Sequence, residues 1–450
     1  MTQDWHQRTG CELGAAIGRG EIDPAALVDH FLARIESQDP GHEIYVRATP
    51  DRARVEAAAA RDRAQAGARR SALDGVPISW KDLYDSAGVA TEMGSPLLKG
   101  RVPDRDAEVL ARATNAGLVC LGKTNTVQFA LGGIGTNGYT GTPANGAARD
   151  VPRAPGGSSS GAAVSTAVGL AVAGIGSDTG GSVRIPAAWN GLVGLKTSFG
   201  ALPTAGVLPL APTLDTVGPL TRCVADAALL FAIMAACKPA DLAGATLEGC
   251  VFLACETLVW DQGDDAVASA VRAAIDRISN AGARIDWAPV PEFAEIDAVL
   301  NSNGAGVVAE GYVTWKDLID NHPDRIDTPV IDRFHQGRDM SASALETVNK
   351  AGRELSAALH GRMAPYTAIL APTVPIVPPP IAEVTASLED YRAANGKALR
   401  NTRLGNVLPC CALTLPCPDG PMPAGLMMMA LPGHDQALLR AGAAVEAALA

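Results

Sequence analysis

The hydrophobic positions of this 450-residue chain change rhythm along its length. Near the start, Leu27, Val28, Phe31, Leu32 and Ile35 recur at helical spacing, which predicts a helix over residues 24–37. Asp23 can cap that helix, and Pro24 suits its first turn, where a missing N–H is no loss. The Ala- and Arg-rich residues 52–69 predict a second helix. From about residue 73 to 236, short apolar runs alternate with glycine-rich turns and helical stretches. Residues 75–80 read as a strand entering a loop, 105–116 as a helix and 118–121 as a buried strand. Residues 162–172 are Ala, Val, Gly and Leu with two hydroxyls, apolar on nearly all sides, which predicts a core helix. Beyond residue 236 the pattern gives a strand at 249–254, amphipathic helices at 265–281 and 341–363, and a buried strand at 366–370 before the Pro-rich turn 371–380. Two further strand candidates, 413–415 and 426–431, could close the sheet; the second carries Met427–Met429, whose alternating directions predict core packing. Strands alternating with helices predict an α/β fold with helices on both faces of the sheet. No repeat or long linker interrupts the chain, so one domain over residues 1–450 is expected: a helical segment to about 70, a specialised core at 73–236, and a remainder at 237–450 completing the sheet and pocket.

Composition narrows the function classes. Hydrophobic residues make up 47% of the chain but aromatics only 4%, while glycines number 47, so the core must pack backbones closely. A net charge of −11 without a dense Lys/Arg run argues against a nucleic-acid surface. The nine cysteines form no C-x-x-C pair and read as reduced core thiols of a cytoplasmic protein. The N-terminus is polar and lacks a signal-peptide core, and no run reaches 18 strongly apolar residues, so no membrane span is expected.

Two Gly/Ser loops carry the candidate chemistry: Pro155-Gly156-Gly157-Ser158-Ser159-Ser160-Gly161 and Asp178-Thr179-Gly180-Gly181-Ser182-Val183-Arg184. They bracket the apolar 162–175 stretch, whose helix and strand could return both to one place. Lys81, at the end of the first buried strand, adds a third element; alone, it reads equally well as a structural lysine beside Asp82. The seven histidines leave the whole span from 43 to 321 empty, so a Ser-His-Asp enzyme would need a distant one. A nucleophile elbow G-x-S-x-G fits only when centred on Ser159, and residues 146–156 do not supply the strand it must follow. Residues 117–124 match the phosphate-loop pattern G-x-x-x-x-G-K-[ST], but their middle is Leu-Val-Cys-Leu, an apolar strand rather than a phosphate cradle. There is no H-E-x-x-H and no paired Cys/His spacing, so no metal is expected.

Taken together, segments 75–82, 122–125, 141–145, 155–161, 176–186, 191–196 and 214–220 closely resemble the amidase signature family, with weaker similarity at 371–375 and 406–431. The resemblance implies one large mixed sheet covered by helices, often a homodimer, and no cofactor. It also implies a Ser–Ser–Lys triad, with Ser182 as nucleophile, Ser158 as relay after a cis Gly157–Ser158 bond, and Lys81 as base. The implied oxyanion hole is the backbone of Thr179, Gly180 and Gly181 with Ser182 itself, and Asp178 is grouped with these substrate-facing positions. The roles are physically coherent: a serine hydroxyl needs an adjacent base, and burial can lower a lysine's pKa enough to make it one. Arg184 reads as a brace for the loop. Ser160, Ala162, Gln128, Thr197 and Trp189 stand where relatives often carry other residues. The expected activity is hydrolysis of a small, non-peptide carboxylic amide. The alternatives are a glutamine-hydrolysing component of an amidotransferase and a non-catalytic binding protein on the same scaffold. Residues 126–140 and an irregular region after 290 are expected to form the pocket.

Overall fold

The structure, a computed structural model, describes residues 4–450; Met1, Thr2 and Gln3 of the polar N-terminus lie outside the described residues. Its centre is one eleven-stranded sheet. The strands are β1 (Tyr45–Ala48), β2 (Pro77–Lys81), β3 (Val119–Thr124), β4 (Ala173–Asp178), β5 (Val193–Lys196), β6 (Thr216–Thr221), β7 (Val251–Cys255), β8 (Arg284–Ala288), β9 (Ala368–Pro372), β10 (Cys411–Pro416) and β11 (Gly425–Ala430). They lie in the order β1-β3-β2-β4-β6-β5-β10-β11-β9-β7-β8. β2 runs parallel to β3 and β4, and β7 parallel to β8 and β9; the other pairs are antiparallel, so the sheet is mixed.

Both faces of this sheet are covered, which explains why its central strands are apolar without alternation. On β11, Leu426, Met428 and Ala430 pack into the larger core with helices Pro24–Gln38, Val224–Ala235 and Asp265–Asn280. The intervening Met427 and Met429 face the opposite way, into a second core with helices Pro291–Asn303 and Ala342–Met363. The molecule is thus a single α/β domain with a large mixed sheet flanked by helices. No helix among the described residues is long and apolar enough to cross a membrane.

Helix Pro24–Gln38 is capped by the Asp23 side chain, which accepts the Ala25 N–H. The second helix runs Pro50–Gln65, ending earlier than its Ala/Arg composition predicts. The apolar run 162–172 is not one helix. Helix Ser160–Ala167 ends at a turn in which Gly169 adopts φ +71°, and the chain then enters β4. Of the nine cysteines, all unpaired, Cys120, Cys255, Cys410 and Cys411 are buried, but Cys237 is exposed, so the core-thiol reading holds only for some. The region after 290 is not irregular either: it forms helices Pro291–Asn303, Gly306–Asn321 and Thr328–Asp339. Pro291 and Pro329 sit in first turns, where they start helices rather than break them.

Candidate active site

β2 and β4 are parallel neighbours, with Trp80 opposite Ile175, so their carboxyl ends lie side by side. That edge is where open α/β sheets place ligands. β2 delivers Lys81 there, fully buried, with its Nζ 2.7 Å from Ser158 Oγ and 2.8 Å from Ser177 Oγ. Burial lowers the Lys81 pKa to about 7, against the opposing pull of Asp215 and Asp178. Ser158 follows the cis Gly157–Ser158 bond and is itself fully buried. A side chain on Gly157 would meet the Gly135 backbone at 2.7 Å, so only glycine fits there.

The two Gly/Ser loops are lashed together. Ser159 N–H donates to the Ser182 carbonyl (3.3 Å), and Ser159 Oγ bridges the Ser177 carbonyl and amide (both 3.3 Å). Ser159 is therefore a brace, not the centre of a nucleophile elbow. Gly181 adopts φ +134°, and an added Cβ would lie 2.1 Å from Thr402 Oγ1. Its N–H donates to Asp178 Oδ1 at 2.8 Å, so it is already committed within the loop and is not available to an oxyanion. The amides of Thr179, Gly180 and Ser182 make no hydrogen bond to another described residue.

Asp178 does not face substrate. Its carboxylate is fully buried and takes Nε and Nη2 of Arg184, both at 2.9 Å, with Asn406 Nδ2 at 3.0 Å and the Val183 amide at 3.2 Å. Burial disfavours its charge, but Arg184, Lys196 and Asn406 overcome this and hold its pKa below the ordinary carboxylate value. A two-pronged ion pair of this kind fixes a loop firmly. Arg184 is the brace that its place in the sequence suggests.

The Ser182 side chain opens into a cavity of about 300 Å³. Thr179, Gly180 and Ser182 form its floor, and Ala130, Leu131 and Gly132 one edge. The wall comes from Leu300, Asn301, Gly304–Val308, Arg333 and Gln336, and from Gly396, Leu399 and Arg403. Both expected pocket regions contribute, although the second does so through helices and their junctions.

The sequence profile of the Amidase family matches residues 26–439. The chain belongs to the amidase family. It is 34% identical over 442 residues to the 2-amino-5-chloromuconic acid deaminase of Comamonas testosteroni, covering 97% of this chain and 95% of that protein. It is 40% identical to a glutamyl-tRNA(Gln) amidotransferase component of an Anaeromyxobacter species, but over only 61% of this chain and 58% of that one. A crystal structure of an amidase superposes with a TM-score of 0.88 at 28% identity, covering 98% of this chain and 100% of the other. This amidase is accordingly a hydrolase acting on amide C–N bonds.

Two residues of the amidase site carry no mark in the sequence pattern. Ser177 is the second hydroxyl on Lys81. Asp215 accepts the Thr179 hydroxyl at 2.6 Å and the Leu210 and Ala211 amides, and burial raises its pKa. Both lie inside segments that resemble the family, but no spacing rule marks a side chain that acts through another. The phosphate-loop pattern is structural, since Val119–Thr124 is β3 and Lys123 is fully buried within it.

Proposed function

We propose that this amidase hydrolyses a small carboxylic amide through an acyl-enzyme on Ser182. Ser182 Oγ attacks the carbonyl carbon while its proton passes to Ser158, whose own proton moves to Lys81 Nζ. The tetrahedral oxygen is held by the amides of Thr179, Gly180 and Ser182; losing one such donor typically costs about 10²–10³ in rate. The relay then runs backwards to protonate the nitrogen, the C–N bond breaks, and ammonia or an amine leaves. Water enters by the same relay and releases the acid. The observation that carries the reading is a fully buried lysine with a pKa of about 7 lying 2.7 Å from Ser158 Oγ. A lysine neutral near physiological pH is a competent general base. The compact cavity supports a small substrate, as does the acid named for the Comamonas testosteroni relative. The unpaired cysteines support a cytoplasmic setting.

The glutamine-hydrolysing reading has less support, because the amidotransferase relatives align over only part of the chain. Ammonia release from a panel of primary amides, glutamine included, with Ser182→Ala as control, separates the readings. Release from a small-amide class that Ser182→Ala abolishes is the expected result. Release from glutamine alone would favour the amidotransferase reading.

A further inference from the structure

The relay leaves a charge to be accounted for. When Ser158 hands its proton to Lys81 Nζ, the neutral amine becomes an ammonium in a fully buried place, while the negative charge forms at the tetrahedral oxygen. A buried ammonium is costly unless a carboxylate faces it. Two carboxylates act on Lys81, Asp215 more strongly than Asp178. Asp178 is already neutralised by the two-pronged pair with Arg184. Asp215 forms no ion pair among the described residues.

The surroundings of Asp215 suit a fixed anion. Its Oδ1 accepts the Thr179 hydroxyl at 2.6 Å, and its Oδ2 accepts the amides of Leu210 (2.9 Å) and Ala211 (3.1 Å). Three neutral donors hold the carboxylate in place and leave its charge uncancelled. Asp215 and Ser177, the second hydroxyl on Lys81, line one cavity of about 10 Å³, too small for bulk water to screen the carboxylate from the lysine. Besides Lys81, the ionisable group that feels Asp215 is the Tyr84 phenol, which is fully buried, stays protonated and donates to the Gly176 carbonyl at 2.5 Å. Thr179 opens the loop whose amides face the reacting carbonyl, so the same carboxylate touches both ends of the charge separation: the lysine through space and the oxyanion loop through the Thr179 hydroxyl.

We propose that Asp215 is a positioning residue of the hydrolytic site, the counter-ion that favours the ammonium formed on Lys81 while it holds Thr179 in the oxyanion loop. This rests on the hydrolase reading above and adds a fourth side chain to the triad.

The test follows the pH dependence of Ser182 labelling by a fluorophosphonate probe in the full-length protein, with Ser182→Ala as blank. Asp215→Asn keeps the size and loses the charge. Removing an anion makes Lys81 easier to deprotonate, so the midpoint of the labelling profile should move down by about one pH unit. The rate above the midpoint should fall on the order of tenfold, because the ammonium then forms without its counter-ion. Asp215→Glu, which restores the charge, should return the midpoint towards wild type. Asp215→Ser, also uncharged, gives the same readout should the amide not fold. An unmoved midpoint, even with a slower rate, would reduce Asp215 to a structural residue and overturn the proposal. A second arm needs no reactive serine: chemical denaturation against pH, with and without Lys81→Met, in the wild-type and Asp215→Asn backgrounds. The pH at which the lysine's contribution begins to climb should drop by about one unit in Asp215→Asn. That drop, in a protein the probe never labels, supports the counter-ion while the hydrolase reading falls alone; an unchanged onset overturns the counter-ion whatever the protein hydrolyses.

Discussion

The floor and the wall of this pocket are built on opposite terms. In the floor, every enclosed side-chain polar atom of the loops at 155–161 and 176–184 has a partner, and Asp178 alone collects its ligands from two helices and its own loop. In the wall, Arg333 Nε and Arg403 Nε are enclosed with none. A fully satisfied network has one arrangement and holds a reacting group in place. A wall that keeps donors free of protein acceptors can direct them at whatever occupies the cavity. Chemistry in this amidase is held rigidly, and recognition is left to the incoming molecule.

Substitutions in the floor should therefore act on rate, and those in the wall on choice. Ser182→Ala should abolish turnover, by on the order of 10⁴-fold or more, with unchanged circular dichroism; a variant that still turns over would remove Ser182 as nucleophile. Lys81→Met should fall almost as far, because members of a triad act as a unit. It carries a second signature. Lys81 is held near pKa 7 when folded, against an ordinary lysine value of 10.5, so between those limits the unfolded chain holds a proton the folded one lacks. Wild-type stability relative to Lys81→Met should thus climb by about 1.4 kcal/mol per pH unit as pH rises through that window, and flatten above it. A pH-independent difference in chemical denaturation would contradict the lysine's buried, neutral state.

Arg184→Met should destabilise the fold by about 3–5 kcal/mol, since it leaves the Asp178 carboxylate buried without its main partner, read as a shift in denaturant midpoint. The pH–rate profile should rise about tenfold per unit below pH 7 and level off above, as Lys81 loses its proton; a flat profile would break the floor's half of the comparison. The smallest effect is expected for Gln336→Ala, on the wall and exposed. Its stability should stay within about 0.5 kcal/mol of wild type, while the ranking of substrates by KM shifts. An equal fall in kcat for all substrates would place Gln336 with the chemistry.

The same division governs what is legible in the sequence. Floor residues stand in short glycine-rich segments whose residue types are chosen by backbone geometry and reaction, so Lys81, Ser158 and Ser182 stand out. Gly181 and Asp178 fall in the right loop, but their direction depends on which partners the fold brings, and neither presents itself to substrate. The wall reads as irregular because prolines and the Gly304–Gly306 junction break its pattern. Helix Leu388–Val407 is invisible to that reading altogether, for a physical reason. Its inward stripe includes Asn395, Asn401, Thr402 and Asn406, all buried. Apolar periodicity is blind to a helix that packs by hydrogen bonds.

That helix has one more consequence. Asn395 takes the Gly133 amide, Thr402 holds the Gly180 carbonyl and Asn406 grips Asp178, while Gly396, Leu399 and Arg403 of the same rod line the cavity. Any lineage descending from this enzyme and drifting towards a new nutrient would find this rod a poor place to experiment, since a change there disturbs catalysis and fit together. Innovation is channelled to cavity positions such as Val307 and Gln336, whose side chains make no hydrogen bond to that helix.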